Sequence, residues 1–156
     1  MKDTPPMTNA SIKIENNLIV YHSSHPSHER DSSWILPIDE IKVVGVMNRM
    51  IGDDDSLIFN FIDQNLGFHF LTTTHHIEGY SSLENSLNSH LNLEIGHWTC
   101  QTVENPIVIY PEELWLKRLY GKDGISQLFQ RFFGEYHAGW GELSSEVRNY
   151  IWESIP

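Results

Sequence analysis

Residues Ser56 to Leu91 read SLIFNFIDQNLGFHFLTTTHHIEGYSSLENSLNSHL. The residues after the serine alternate in type, so that Leu57, Phe59 and Phe61 share one face of an extended chain. This period of two, rich in aromatic and β-branched residues, predicts a strand with one strongly apolar face. The sequence DQNLG follows as a turn, in which we expect Gly67 to take a positive φ. The segment therefore predicts the first half of a β-hairpin.

The second half of this segment predicts a return strand and a helix. Two phenylalanines alternate with His69 and Leu71, as expected of a strand that follows the turn. The S-x-x-E capping box of Ser81 and Glu84 then predicts a helix with leucines every four residues. We expect this helix to lie across the apolar face of the hairpin. The resulting core would comprise Phe59, Phe61, Phe68, Phe70, Leu83, Leu87 and Leu91.

Further strand patterns precede this segment. SIKIE at 11–15 and LIVYH at 18–22 flank the dipeptide Asn16–Asn17, which tolerates left-handed conformations and so predicts a tight hairpin. The longest strand pattern runs from Ile38 to Met50. Within it, Gly45 indicates either a bulge or the close approach of another chain segment.

The carboxy-terminal part of the chain changes from strand patterns to helix patterns. We expect two more strands between residues 96 and 110, and then a helix at Pro111, since proline suits a first helical turn. A second helix is expected over about 123–133, and a short third one after Ser144 as its N-cap. We therefore interpret 111–156 as a helical C-terminal segment.

The order of these elements predicts the fold class. Strands segregated from helices are typical of α+β proteins, here an antiparallel sheet packed by a helix, with a helical C-terminal third. The length of 156 residues suits a single domain, which we place at 11–156 after a disordered tail at 1–10. In element order alone, the strands and a helix that plugs a curled sheet resemble a pleckstrin-homology-like barrel. No motif in the sequence carries that resemblance further.

The charge balance excludes some classes of partner. There are 21 acidic and 10 basic side chains, which give a formal net charge of −11. This field repels phosphate, so we expect no nucleic-acid partner and no anionic membrane. It would attract a protein with a basic surface, although the same charge also keeps a protein soluble without any partner.

Cysteine content and hydropathy indicate the compartment. Cys100 is the only cysteine, so an internal disulfide is impossible. The amino terminus lacks the apolar core of a signal peptide, and no apolar run approaches the roughly 18 residues of a membrane span. We therefore expect a soluble, cytoplasmic protein.

Nine histidines make a metal site the first chemistry to consider. Neutral imidazole binds zinc, copper or nickel, and three such nitrogens with a carboxylate form a recognised site. The candidates come from an H-x2-H-x2-H pattern and an adjacent pair, and are His22, His25, His28, His75 and His76. The first pattern lies in a loop, however, and adjacent histidines on an extended chain point to opposite sides. We therefore expect no cofactor, and keep a histidine-ligated metal enzyme as the alternative.

Other catalytic and nucleotide-binding motifs are absent from the sequence. There is no G-x-S-x-G for a serine nucleophile, and neither of the glycine-rich phosphate-binding patterns occurs. His97 and Cys100 are three residues apart in an expected strand, which would place their side chains on opposite faces. We therefore assign no catalytic residue.

Aromatic side chains are concentrated near the carboxyl terminus. Such residues most often pack in a core, but tryptophan and tyrosine are also enriched in binding hot spots. The sequence GEYHAGWG at 134–141 indicates a shaped loop, and loops carry function more often than cores do. The residues that we expect to bind a partner are Tyr136, His137, Trp140 and Trp152.

Two classes of function are open on the sequence alone. The first is a small acidic protein-binding domain without catalysis, such as a bacterial immunity or antitoxin-type protein or an adaptor, with a basic protein as partner. The second is a metal-dependent enzyme that uses the histidines. We prefer the first, because the sequence offers no set of side chains with interlocking catalytic roles. The oligomeric state is undetermined by the sequence.

Overall fold

The computed structural model describes residues 9–24, 33–51, 54–72, 77–100, 103–121 and 143–155. The strands are β1 (Asn9–Glu15), β2 (Leu18–Ser24), β3 (Trp34–Pro37), β4 (Ile41–Ile51), β5 (Asp54–Asp63), β6 (Phe68–Thr72), β7 (Ile77–Glu78) and β8 (Val103–Tyr110). The α-helices are α1 (Tyr80–Leu91) and α2 (Ser145–Ser154), and short 3-10 helices span Ile38–Glu40, Ile95–Cys100 and Glu112–Leu114. The fold is therefore α+β, as the sequence predicts.

The strands form two sheets, where the sequence led us to expect one. The first sheet has the order β3-β2-β1-β7 and the second has the order β6-β5-β4-β8. The strand pairs are antiparallel, apart from the short parallel pair of β1 and β7. The chain leaves the first sheet at the 3-10 helix Ile38–Glu40, whose first N–H donates to the carbonyl oxygen of Asn17. That turn interrupts what would otherwise be one long strand and sends β4 into the second sheet.

An inner core lies between the two sheets. Its fully buried members from the second sheet include Val44, Val46, Phe59, Phe61 and Leu71. The first sheet contributes Ile12, Ile19, Tyr21 and Leu36, and α1 contributes Leu83 and Leu87. Burying one such side chain contributes about 1.5–3 kcal/mol, so this core is the main source of stability in the described residues.

The expected core is correct for the first strand of the central hairpin but wrong for the second. Phe59, Phe61, Leu83 and Leu87 are fully buried together, and Leu91 packs against them. Phe68 and Phe70 instead lie on the opposite face, where their rings stack 6.2 Å apart and Phe68 is 41% exposed. The reason is register, because β6 pairs Leu71 with Phe59 and His69 with Phe61.

A second core covers the outer face of the second sheet. Alternation along β4 and β5 turns Val43 and Ile62 away from the inner core and toward the carboxy-terminal residues. The remaining buried members are Val108, Leu114, Leu119, Leu143, Val147 and Ile151. A Cβ atom at Gly45 would collide with Leu119 Cδ2, so the glycine marks a close approach, and the register of β4 with β8 also shifts between Val44 and Gly45.

The helix expected at Pro111 is largely absent. Only Glu112–Leu114 is helical, as a 3-10 turn, and Leu116 then takes a φ of 62°. An isolated bridge joins Arg118 to Ile107, which holds this stretch against β8 as extended chain. Packing of Leu114 and Leu119 into the second core therefore overrides the local helical preference.

Of three further sequence predictions, two are wrong and one is confirmed. The cap of α1 is Gly79 with a φ of 86°, so the capping box of Ser81 and Glu84 does not form. A 3-10 helix replaces the strand expected near residue 96. The helix after Ser144 is confirmed, with the Ser144 hydroxyl accepting from the Val147 N–H at 3.3 Å.

Several expectations lie outside the described residues. They are the helix over 123–133 and all but the last two residues of the tail at 1–10, where β1 already begins at Asn9. Among the described residues, no helix is long and apolar enough to cross a membrane.

Candidate functional site

Most of the site residues expected from the sequence lie outside the described part of the chain. These are Tyr136, His137 and Trp140 of the expected partner surface, and His25, His28, His75 and His76 of the expected metal site. The structure therefore places only His22 and Trp152 of that set.

His22 has an exposed side chain on β2, with its Nδ1 atom 3.0 Å from the Ser33 hydroxyl. Within the residues that the structure describes, no three histidine, cysteine, aspartate or glutamate side chains are grouped so that they could hold a metal ion. The described part of the chain thus offers no observation that supports the metal-dependent enzyme.

Trp152 lies on α2, and its side chain is 56% exposed. The guanidinium carbon of Arg148, one helical turn earlier, lies 6.0 Å from the centroid of its ring. This cation–π contact holds the tryptophan along the helix surface. The structure does not bring Trp152 together with His22.

The structure assembles an acidic site between α1 and the 3-10 helix Ile95–Cys100. A surface cavity of about 220 Å³ opens there, lined by Glu84, Asn85, Asn88, Glu94, Ile95, Gly96 and His97. Five of these seven residues have charged, amide or imidazole side chains, and no lysine or arginine is among them. The cavity is therefore polar and acidic, and is suited to a cationic group.

The end of α1 is what brings the two sides of this cavity together. Asn92 takes the left-handed conformation with a φ of 54°, and its N–H donates to the Asn88 carbonyl oxygen. The chain then turns back, and Leu93 and Ile95 enter the inner core. Because both anchors are buried, the 3-10 helix that follows lies alongside α1.

The Glu84 carboxylate lies near Tyr80 and near the 3-10 helix Ile95–Cys100. Burial, with a smaller contribution from the Glu84 carboxylate, raises the pKa of Tyr80 to about 12. A Cβ atom on Gly96 would lie only 3.1 Å from Glu84 Oε2, so glycine leaves room for this carboxylate against the 3-10 helix. Glu84 is thus placed between the two elements that form the cavity.

Tryptophan side chains extend this site along the surface. The His97 ring meets buried Trp98 edge to face at 5.9 Å, and Trp98 contacts Trp115 at 5.6 Å. Trp115 is 47% exposed, and the next residue, Leu116, is 53% exposed. We name Glu84, Glu94, His97, Trp115 and Leu116 the acid–tryptophan surface.

This surface combines two kinds of recognition. Carboxylates form charge-assisted hydrogen bonds with ammonium or guanidinium groups, and an exposed indole adds apolar area and a face for a cation. Tryptophan is also among the residues that contribute most to binding at protein interfaces. Together these side chains can bind a basic segment that also carries apolar residues.

A separate histidine–aspartate pair lies at the central hairpin. His69 Nε2 donates to Asp63 Oδ2 at 2.9 Å, while Asp63 Oδ1 accepts from the N–H groups of Asn65 and Gly67. Burial alone would raise the pKa of Asp63, but the hydrogen bonds from His69, Gly67 and Asn65 hold it below its ordinary value. The carboxylate thus organises the turn.

This pair also lies at the seam between the sheets. The His69 ring packs edge to face against Trp34 at 5.4 Å, and the indole N–H of Trp34 donates to the Phe70 carbonyl oxygen at 2.9 Å. Trp34 belongs to the first sheet and Phe70 to the second. We therefore interpret His69 and Asp63 as structural rather than catalytic.

The sequence contained one overlooked signal for the acid–tryptophan surface. Leu114, Trp115 and Leu116 are consecutive apolar residues, and three neighbours on a helix cannot all share one buried face. The helix that this pattern predicts already requires at least one of the three side chains to be exposed. The carboxylates could not be found this way, because Glu84 and Glu94 meet only through the turn between their elements.

Comparison with protein-family models, with curated proteins and with solved structures gave no match for this chain.

Proposed function

We propose that this protein is a non-catalytic protein-binding domain whose partner presents a basic surface. The observation that carries the proposal is the acid–tryptophan surface, in which an acidic cavity adjoins an exposed tryptophan and an exposed leucine. An exposed tryptophan beside carboxylates offers a partner both an apolar anchor and charge-assisted hydrogen bonds.

The negative charge of this protein favours a basic partner both at long range and at direct contact. The net charge of −11 creates a long-range field that speeds the approach of a cationic protein and weakens with salt. At contact, the Glu84 and Glu94 carboxylates would hydrogen-bond lysine or arginine side chains in the cavity. The first effect acts on the association rate and the second on the dissociation rate.

The biological form of this binding is also a proposal. Immunity and antitoxin proteins are often small and acidic and neutralise basic enzymes, and an adaptor would use the same surface. We place the protein in the cytoplasm, in line with its single cysteine.

Affinity capture with matched variants tests the proposal. Wild-type protein would be compared with the double variant Glu84→Gln/Glu94→Gln and with the control Glu15→Gln/Glu153→Gln, which removes two exposed carboxylates elsewhere. We expect a basic protein, identified by mass spectrometry, to be retained by wild type and by the control but lost by the cavity variant.

Three results would contradict the proposal. They are equal loss by both double variants, retention by the cavity variant, and turnover of a small molecule by the purified protein. Equal loss would show that net charge alone governs retention, and turnover would restore the enzyme alternative.

A further inference from the structure

We infer that the partner binds with an amphipathic basic segment, which places a lysine or arginine side chain in the cavity and a nearby apolar side chain against Trp115 and Leu116. This inference rests on the proposed function and specifies the chemistry of its partner.

Leu116 departs from two ordinary preferences at once. Its φ of 62° lies in the left-handed region, which suits glycine or asparagine and is unfavourable for leucine. Its side chain is nevertheless 53% exposed, so little burial compensates for this conformation. Glycine would satisfy the backbone better and expose no apolar surface. Among the residues that the structure describes, little packing accounts for a leucine at this position, whereas an apolar side chain of the partner would account for it.

The turn that carries Leu116 is held firmly. The Leu116 N–H donates to the Val108 carbonyl oxygen at 2.8 Å, and the Val108 N–H donates to the Lys117 carbonyl oxygen at the same distance. The Trp115 N–H donates to the Glu112 carbonyl oxygen at 3.1 Å. Because the backbone is fixed on both sides, a partner would meet a preorganised apolar contact and lose little entropy in ordering it.

The apolar turn and the acidic cavity lie close together. The buried Trp98 ring contacts the exposed Trp115 at 5.6 Å and His97, which lines the cavity, at 5.9 Å. A single segment of a partner can therefore reach both, with its basic and apolar side chains a few residues apart.

Charge selects a basic partner over a second copy of this chain. Glu112 and Glu113 are exposed just before the turn, and Lys117 after it lies 3.6 Å from Glu146. A two-fold contact through this surface would bring the Glu84 and Glu94 carboxylates of both copies close together. Repulsion between like charges opposes that arrangement.

Three short synthetic peptides test the inference, with alternating arginine and leucine, arginine and serine, or glutamate and leucine. Binding would be measured by calorimetry and mapped by amide chemical shifts. The arginine–leucine peptide should bind tightest and perturb residues 84–97 and 112–117. Leu116→Gly should weaken that binding about tenfold or more while leaving the arginine–serine peptide unaffected.

Controls separate a binding role from a structural one. Leu116→Gly suits the local backbone, so it should melt no lower than wild type. The matched control Ile35→Thr removes an exposed apolar side chain from β3 and should bind the arginine–leucine peptide normally.

The inference would be overturned by unchanged binding of the arginine–leucine peptide to Leu116→Gly, by equal loss in Ile35→Thr, by no binding of that peptide, or by self-association that Leu116→Gly abolishes. If the arginine–serine peptide binds as tightly as the arginine–leucine peptide, the apolar contact is refuted while the basic-partner proposal stands. Preference for the glutamate–leucine peptide would refute both.

Discussion

Two turns in this protein each contain a leucine with a φ of 62°, and they differ in what surrounds it. Leu66 lies in the β5–β6 turn and is partly buried against the second core. Leu116 lies in the turn after β8 and is largely exposed. Among the described residues, packing therefore compensates for the unfavourable backbone conformation at Leu66, whereas it compensates little at Leu116.

The two turns also differ in how they are hydrogen-bonded. The Asp63 carboxylate accepts from two backbone N–H groups and from His69, and so organises the first turn from within. Backbone hydrogen bonds hold the second turn against β8. Among the described residues, packing and side-chain hydrogen bonds therefore account for the strained backbone at Leu66 but not for that at Leu116.

Removal of the Asp63 carboxylate should have the largest effect. Asp63→Ala should lower the free energy of unfolding by about 3 kcal/mol, because three donors lose a charged acceptor. Chemical denaturation measures this, with Glu112→Ala in the second turn as a control that should change stability by less than about 0.5 kcal/mol. Equal effects of the two substitutions would remove the distinction between the turns.

Glycine substitutions compare the leucines directly. Leu66→Gly and Leu116→Gly relieve the same positive φ and add the same freedom to the unfolded chain, so these contributions cancel in the difference. We expect Leu66→Gly to be less stable than Leu116→Gly by about 1–2 kcal/mol, which is the packing lost at Leu66. Thermal unfolding of both variants measures the difference. Equal stabilities would show that Leu66 contributes no packing.

The smallest expected effect is the pH dependence of the stability that Asp63 contributes. The folded-state pKa of Asp63 is lowered, so its stabilising contribution is fully present above the unfolded-state pKa of about 3.8 and is lost as pH falls through the folded-state value. The stability difference between wild type and Asp63→Asn should therefore be constant near neutral pH and shrink in acid. A denaturation series from pH 6 to pH 3 measures it. A difference that grows on acidification would have the wrong sign for this carboxylate.

Local signals in the sequence were reliable where the structure depends on neighbours in the chain. The Asn16–Asn17 turn has φ values of 50° and 63°, as two adjacent asparagines predict. Ser144 caps α2, and Asn92 ends α1 in the left-handed conformation. Each of these depends on contacts within a few residues.

The incorrect predictions arose where contacts beyond the immediate neighbours in the chain decided the outcome. In the first turn, the positive φ falls on Leu66 instead of Gly67, and glycine is needed at 67 because a Cβ atom there would collide with the Asp63 carboxylate. In β6, both faces carry apolar residues, so alternation alone could not show which one turns inward. The pairing of Leu71 with Phe59 decided it.

The sequence by itself determined the α+β class, the central strand of phenylalanines, two of the turns and the acidic charge, because these follow from composition and short-range preferences. Tertiary structure alone decided the division into two sheets and the extended course of 115–118. It also created the acid–tryptophan surface, since its residues come from separate elements that only burial of Leu93, Ile95 and Trp98 brings together. Such contacts depend on the packing of the whole chain, which no local pattern encodes.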